Sequence, residues 1–325
     1  MTSTADRHLI EGSNFDEIYY QLLSQLNQRP QYVCSPRGSK IKENIAVTLL
    51  LHNPRARLLN CKKRNTNYGF GVGEFLWYWQ GKQDLKTMVY YNKRMKDYSD
   101  DGKTLTSAYG HRLKTMQFTP NGSDVGSTMS QWQAAIQTLV ADPDSRRALM
   151  LINQPGDEVR AAMLGSKDVP CTLSLQFFIR DNRLELHTHM RSNDVMWGLT
   201  YDLFSFTLFQ ECMLLELQKE KKFNDLKLGY YYHTAGSLHL YEQHFDQSDQ
   251  ICYEYAKGVE LSPPMEPLSD LESLEEVCSI EEALRTNLSY LILTGDLEGT
   301  PLWMVQQLES HKDKRDAERV QKKNG

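Results

Sequence analysis

The chain has 325 residues, 40% of them hydrophobic, which is enough to bury the core of one large domain or two ordinary ones. A net charge of -5 and a pI near 6.0 argue against a surface that coats nucleic acid, because such surfaces depend on clustered lysine and arginine. No apolar signal core and no run of roughly 20 apolar residues is found, so the sequence predicts a cytoplasmic protein without membrane or nucleic-acid partners.

In the first half of the chain, apolar spacing predicts one helix and one buried strand. Residues 14–28 have helical spacing after Asn14, a suitable N-cap. Residues 45–51 form a short, partly β-branched run that is typical of a buried strand. The aromatic segment 73–80 fits a buried helix or a strand equally well, and the turn-rich segment 98–112 predicts a loop near a site.

The second half predicts alternating strands and helices, followed by a change of character. Beyond about residue 258 the chain becomes acidic and contains three closely spaced prolines, and from residue 309 it predicts a charged helix or a frayed tail. We therefore expect a catalytic domain over 1–250 and a helical extension of unknown role over 251–325. The predicted elements are a helix at 128–141, strands at 148–152, 173–179, 184–189 and 228–241, and a buried central helix at 203–217.

Six cysteines are scattered along the chain without a CxxC pair, which predicts neither a metal site nor a disulfide framework. Only Cys171 has neighbours that suggest chemistry. Taken alone, Cys171 is more often an inert thiol than a nucleophile, and single arginines are more often solvated charges than phosphate ligands. When these residues occur together in ordered local motifs, a catalytic or phosphate-binding role becomes the favoured interpretation.

Seven ordered motifs between about residues 14 and 247 resemble the thymidylate synthase superfamily. The resemblance implies an α/β fold with a mixed sheet flanked by helices, and a homodimer with shared active sites. The motifs are Arg37-Gly38-Ser39, GVGEFLWYWQG at 71–81, Tyr109-Gly110 with Arg112, Asp142-Pro143-Asp144-Ser145-Arg146-Arg147, Pro170-Cys171, Arg191-Ser192-Asn193-Asp194 with Gly198, and His239-Leu240-Tyr241 with His244.

The resemblance also implies roles for the reacting groups. The Cys171 thiolate would add to C6 of a pyrimidine, which makes C5 nucleophilic, and nearby cations would have to lower the pKa of the thiol. Glu74 would order water and move protons near the base, and Tyr109 would lie near the C5 proton. The cosubstrate would be 5,10-methylenetetrahydrofolate, with Asp194 and Gly198 in its binding site and no metal.

Further residues are implied to bind the nucleoside monophosphate. Guanidinium groups suit phosphate because they form directed, charge-assisted bonds. The phosphate ligands would be Arg37, Arg191 and Ser192, with Arg146 and Arg147 from the second subunit, and the sugar ligands would be His239 and Tyr241.

Asp202 departs from the family pattern, because it stands where thymidylate synthases have a base-reading asparagine. An amide donates to O4 of uracil and accepts from N3-H, whereas an ionised carboxylate only accepts. Cytosine offers an amino donor and an N3 acceptor, so Asp202 predicts a cytidylate. The segment from Met190 to Val195 likewise resembles the bacteriophage deoxycytidylate hydroxymethylases, and Thr172 replaces the usual histidine.

The tail DAERVQKKNG does not resemble the family's closing segment, so we expect water to reach the intermediate and a hydroxymethyl product to form. The prediction is a dCMP 5-hydroxymethyltransferase. CMP hydroxymethylation and dCMP methylation remain open, and dUMP methylation or a non-catalytic nucleotide-binding relative is less favoured.

Overall fold

A computed structural model describes residues 8–119, 128–288 and 297–324. The first residues of the N-terminal segment, and part of the predicted extension, lie outside these ranges. The described residues form a seven-stranded mixed sheet in the order β1-β3-β7-β6-β5-β4, with β2 paired to β3. The strands are β1 (Leu9–Gly12), β2 (Tyr32–Cys34), β3 (Ile41–Leu51), β4 (Leu149–Leu151), β5 (Thr172–Arg180), β6 (Arg183–Asp194) and β7 (Lys227–Tyr241).

The helices cover mainly one face of the sheet. The predicted central helix is α6, which packs against β6 and β7 and is buried along most of its length. The ambiguous aromatic segment belongs to a helix, α2, which packs on α6. The helices are α1 (Phe15–Gln28), α2 (Tyr68–Trp79), α3 (Leu85–Tyr91), α4 (Gln131–Ala141), α5 (Pro155–Leu164), α6 (Leu199–Gln218), α7 (Phe245–Ala256), α8 (Leu271–Thr286) and α9 (Gly299–Asn324).

The pairing at the centre of the sheet brings distant motifs together. Strands β6 and β7 run parallel, with Asp194 beside His239, while β3 runs antiparallel to β7, with Glu43 beside His239. Asp194 and Glu43, which precede His239 by 45 and 196 residues in the sequence, thus lie beside it at one end of the three strands. The predicted mixed sheet flanked by helices is confirmed.

Two features of the sequence prediction need correction. The segment 45–51 belongs to a longer strand that is buried on one face only, and Ile45 is 43% exposed on the other. The same face continues across the sheet, which we call its open face. One cross-strand row on this face is half-buried or exposed and consists of Leu50, Tyr232, His187, Gln176 and Leu149. The strands β1 and β2 and the helices α3 and α5 were not predicted, because short elements and mixed polar helices carry weak periodicity. The helices α7 and α8 were covered only by the general expectation of a helical extension over 251–325.

A buried ion pair joins the segment after β3 to the central helix. Arg57 is fully buried and donates to the Glu211 carboxylate of α6, and Arg55 Nε donates to the same carboxylate at 2.6 Å. Charges removed from water remain stable only when they are paired in this way. The ion pair therefore holds the segment after β3 against α6.

The C-terminal helices pack on the catalytic part of the chain. Helix α9 lies against α2 and α8. Tyr91 donates to the buried Glu281 of α8 at 2.8 Å, and Arg285 donates to the same carboxylate at 2.8 Å. The extension therefore buttresses α2 and α3. Within the described ranges, no helix is long and apolar enough to cross a membrane.

Candidate active site

A cavity of about 780 Å³ opens where β6 and β7 end beside α2 and α6. Its walls contain predicted residues from segments that lie up to about two hundred residues apart in the sequence. Two predicted residues, Arg146 and Arg147, do not line it in the part of the chain that the structure describes; both are exposed beside β4. The predicted residues that line it are Arg37, Glu74, Tyr109, Cys171, Arg191, Ser192, Asp194, Gly198, Asp202, His239 and Tyr241.

Cys171 lies immediately before β5 and faces the cavity. Its backbone carbonyl accepts a hydrogen bond from the Arg191 backbone at 2.8 Å, and Arg191 Nε donates to the Pro170 carbonyl at 3.0 Å. Burial raises the pKa of the Cys171 thiol, and the charges of Arg191 and Arg37 only partly oppose this effect. The expected lowering of the pKa is therefore not seen in the single chain.

The loop that carries Tyr109 is held against α2. Its ring stacks on Tyr78, with centroids 5.1 Å apart. The next residue must be glycine, because a Cβ on Gly110 would meet the Tyr78 carbonyl oxygen at 1.8 Å. On the other side of the loop, Asp168 accepts from the Thr106 backbone at 2.6 Å. Asp168 lies three residues before Cys171, so this hydrogen bond links the loop of Tyr109 to the segment that carries Cys171.

Two carboxyl groups, Glu74 of α2 and Asp202 of α6, face the cavity with raised pKa values. Removal from water raises the pKa of Glu74 to about 8, and the charge of Asp202 adds to this rise. Removal from water also raises the pKa of Asp202 to about 7, with a hydrogen bond from Asn193 opposing the rise. Near neutral pH these groups can therefore hold or release protons, as proton transfer requires.

Asp194 has one occupied and one free carboxylate oxygen. Its Oδ1 accepts from the backbone N-H groups of Met196 and Trp197, both at 2.6 Å. Its Oδ2 is buried and has no hydrogen-bond partner among the described residues. A buried acceptor without a partner is costly, so it marks a place where a ligand can donate. This arrangement fits the amino and N-H groups of a pterin.

His239 and Tyr241 lie side by side at the end of β7. Their rings meet edge to face at 5.1 Å. Ser237 Oγ lies 3.3 Å from His239 Nδ1 and donates to the Glu43 carboxylate of β3. The neighbouring strands thus orient the imidazole and leave its Nε2 as a polar group for a ligand. The Tyr241 hydroxyl accepts a hydrogen bond from Arg37 and can still donate its own proton.

Among the residues of this site that were not assigned a role from the sequence, Asn193 and Trp197 have clear partners. Asn193 is buried and donates to Asp202 Oδ2 at 2.7 Å. The Trp197 ring, which is 42% exposed, lies beside Tyr241 at 5.9 Å and under the Arg94 guanidinium at 5.1 Å. Both belong to or follow the Arg191-Ser192-Asn193-Asp194 motif, but the sequence does not show which side chains they contact.

Comparisons with known proteins agree with this geometry. A family model described as thymidylate synthase matches residues 37–271. The chain is 31% identical over 272 residues to a deoxyuridylate hydroxymethyltransferase of Bacillus phage SP01, covering 83% of this chain and 68% of that protein. It is 26% identical over 254 residues to a protein of the same name from Delftia phage PhiW-14, covering 75% of this chain and 65% of that protein.

A solved structure is similar in fold. The thermostable thymidylate synthase A from Bacillus subtilis matches with a TM-score of 0.59 and 19% identity, over 78% of this chain and 87% of that chain. The fold predicted from the motifs is therefore confirmed.

Proposed function

Because this chain belongs to the thymidylate synthase family of one-carbon transferases, we propose that it transfers a hydroxymethyl group to C5 of dCMP. The observation that carries this proposal is the position of Asp202. Its carboxyl group shares the cavity with the Cys171 thiol, and its charge raises the pKa of that thiol. A carboxyl group that accepts from the cytosine amino group and shares a proton with N3 is complementary to cytosine.

The reaction begins with the thiolate. Cys171 Sγ adds to C6 of the base, and the electron pair moves to C5, which then bonds to the one-carbon unit. The C5 proton leaves as the bond between the one-carbon unit and tetrahydrofolate breaks, and Tyr109 and Glu74 would accept or relay the proton. Water then adds to the transferred carbon on C5, and the thiolate is eliminated from C6. When bound, 5,10-methylenetetrahydrofolate supplies the one-carbon unit, and Asp194 would hold its pterin.

Binding of the nucleotide phosphate would complete the activation of the thiol. Arg37 and Arg191 already oppose the rise in the pKa of Cys171, and they stand at the mouth of the cavity with Ser192. Charge-assisted bonds from guanidinium groups to phosphate would hold the base over the cysteine. His239 and Tyr241 would hydrogen-bond the sugar hydroxyl. The space that these two side chains leave beside the sugar would decide whether the nucleotide is dCMP or CMP.

The open end of the cavity favours the hydroxymethyl product. The C-terminal helix packs on α2 and α8, and no residue of it lines the cavity within the described ranges. Water is excluded from an intermediate only when a segment closes over it. We therefore expect water rather than hydride to complete the reaction.

A second candidate substrate is dUMP. It is favoured by the names of the two phage relatives and by the raised pKa of Asp202. A protonated carboxyl group has one donor and one acceptor, as the amide of an asparagine does, and can therefore read uracil.

We further propose that a second copy of the chain covers the open face of the sheet. Leu149 and Leu151 are 45% and 53% exposed there, directly after Arg146 and Arg147. Exposed apolar residues next to charges that do not reach their own cavity indicate an interface between subunits. A mixture of Cys171→Ser and Arg147→Ala subunits should then regain activity that neither variant has alone, because one mixed site holds both groups.

The base can be tested by tritium release. Purified protein and methylenetetrahydrofolate are mixed with dCMP, CMP or dUMP labelled at C5, and mass spectrometry of the product separates hydroxymethyl from methyl. We expect release from dCMP and a preference for dUMP in Asp202→Asn. Release from dUMP but not from dCMP by the unaltered protein would contradict the base assignment.

Loss of the nucleophile provides the matching control. Cys171→Ser should lower tritium release by at least about a thousandfold, because the covalent route is lost. Cys252→Ser, which alters a half-buried thiol outside the cavity, should leave it unchanged. Equal activity in both variants would contradict covalent catalysis.

A further inference from the structure

Three buried side chains form a hydrogen-bonded chain that ends on the carboxyl group of Asp202. Asn193 Nδ2 donates to Asp202 Oδ2 at 2.7 Å, and Asn193 Oδ1 lies 2.9 Å from His233 Nε2. His233 Nδ1 lies 2.9 Å from the Tyr231 hydroxyl. Asn193 is 3% exposed, and His233 and Tyr231 are not exposed at all. These hydrogen bonds therefore link the wall of the cavity to the buried face of strand β7.

The chemistry of these groups gives the chain one direction. An ionised carboxylate only accepts, so Asn193 must present its NH₂ group to Asp202 and its oxygen to His233. His233 must then donate from Nε2. Burial lowers the pKa of His233 to about 3, so the ring is neutral and carries a single N-H. Nδ1 therefore accepts from Tyr231, and every bond points towards Asp202.

This direction decides where Asp202 can carry a proton. Because Oδ2 already accepts from Asn193, a proton on the carboxyl group belongs on Oδ1. The two oxygens are then no longer equivalent, since one is an acceptor and the other a donor. Cytosine and uracil require the opposite order of donor and acceptor along N3 and position 4. A carboxyl group that is free to exchange the two roles would accept either base.

We infer that Asn193, oriented by His233 and Tyr231, is a specificity-determining positioning residue that selects the pyrimidine by fixing the acceptor oxygen of Asp202. This inference rests on the proposed C5 chemistry but not on which base is preferred. The local packing supports it, because a Cβ on Gly198 would approach Asn193 Nδ2 to 2.9 Å and Asp202 Oδ2 to 3.2 Å. The asparagine and the carboxyl group are thus packed closely against a residue without a side chain.

The test compares the ratio of kcat/KM for dCMP and dUMP in four proteins. Asn193→Leu removes the donor to Asp202. Tyr231→Phe removes one hydroxyl and leaves the asparagine and the imidazole in place, so it keeps the test informative if the leucine variant does not fold. Thr207→Val is the control, because this buried hydroxyl bonds backbone carbonyls of α6 only.

We expect the base preference of the unaltered protein to fall at least about tenfold in Asn193→Leu and several-fold in Tyr231→Phe, with no change in Thr207→Val. Loss of packing alone would lower both kcat/KM values together and would leave their ratio unchanged. An unchanged ratio in both variants, or no base preference in the unaltered protein, overturns the inference and leaves the C5 chemistry intact. An unaltered protein that releases tritium from neither nucleotide overturns both proposals.

Discussion

The raised pKa of Asp202 predicts that this side chain destabilises the folded protein above neutral pH. Burial raises its pKa from 3.8 to about 7. Between these values the folded protein binds a proton that the unfolded chain does not bind, so stability falls as the pH rises through this window. Asp202→Asn removes the titration and keeps an oxygen that accepts from Asn193. The variant should therefore be more stable than the unaltered protein at alkaline pH.

The size of the effect follows from the two pKa values. Each tenfold change in proton affinity corresponds to about 1.4 kcal/mol, so a change from 3.8 to about 7 corresponds to about 4 kcal/mol once the carboxyl group is fully ionised. Partial exposure of Asp202 to the cavity reduces this figure to about 2–4 kcal/mol. Because part of the loss has already occurred at pH 5, the advantage of Asp202→Asn should grow by about 2 kcal/mol between pH 5 and pH 8.

Thermal unfolding of both proteins at several pH values measures this difference. A change of about 2 kcal/mol corresponds to about 3 °C in the midpoint for a chain of this size. Asp144→Asn, which alters an exposed carboxylate, should give no pH-dependent difference. If the advantage of Asp202→Asn is the same at pH 5 and pH 8, the carboxyl group is ionised throughout, and the reasoning about its burial is wrong.

Two further predictions concern packing. Gly110→Ala should lower the free energy of unfolding by at least about 3 kcal/mol in urea, because its methyl group would collide with a backbone carbonyl of α2. Gly156→Ala, which adds a methyl group in open space, should change it by less than about 0.5 kcal/mol, and equal losses would contradict the collision. Glu211→Gln should cost about 3–5 kcal/mol, because it leaves the charge of Arg57 buried without a partner. Glu242→Gln, at an exposed pair, should cost less than about 1 kcal/mol, and a similar loss in both would contradict the role of burial.

Much of the site could be predicted because its motifs are local. The thiol follows a proline, the phosphate-binding arginine is followed by a serine, and the imidazole and phenol are two residues apart on one strand. Such motifs retain their chemistry wherever the fold places them. Long elements such as α1 and α6 were also predictable, since periodicity accumulates over many residues. Short elements such as β1 and β2 carry too few residues for a pattern.

The partners of Asp202 could not be predicted in this way. Asn193 precedes Asp202 by nine residues, but His233 and Tyr231 come from a strand whose pairing with β6 is decided by the whole sheet. Their contact depends on parallel register, which no local pattern specifies.

The sequence by itself determined the fold family and the kinds of groups in the site, because these depend on residue identity and on the order of the motifs. Only the tertiary structure decided which of the predicted groups share one cavity, and it leaves Arg146 and Arg147 outside the cavity of their own chain, as the resemblance implied. It also decided that Cys171 has a raised rather than a lowered pKa, and that Asp202 titrates near neutrality. Proton affinity depends on how completely distant segments exclude water from a group, and that exclusion exists only after the chain has folded.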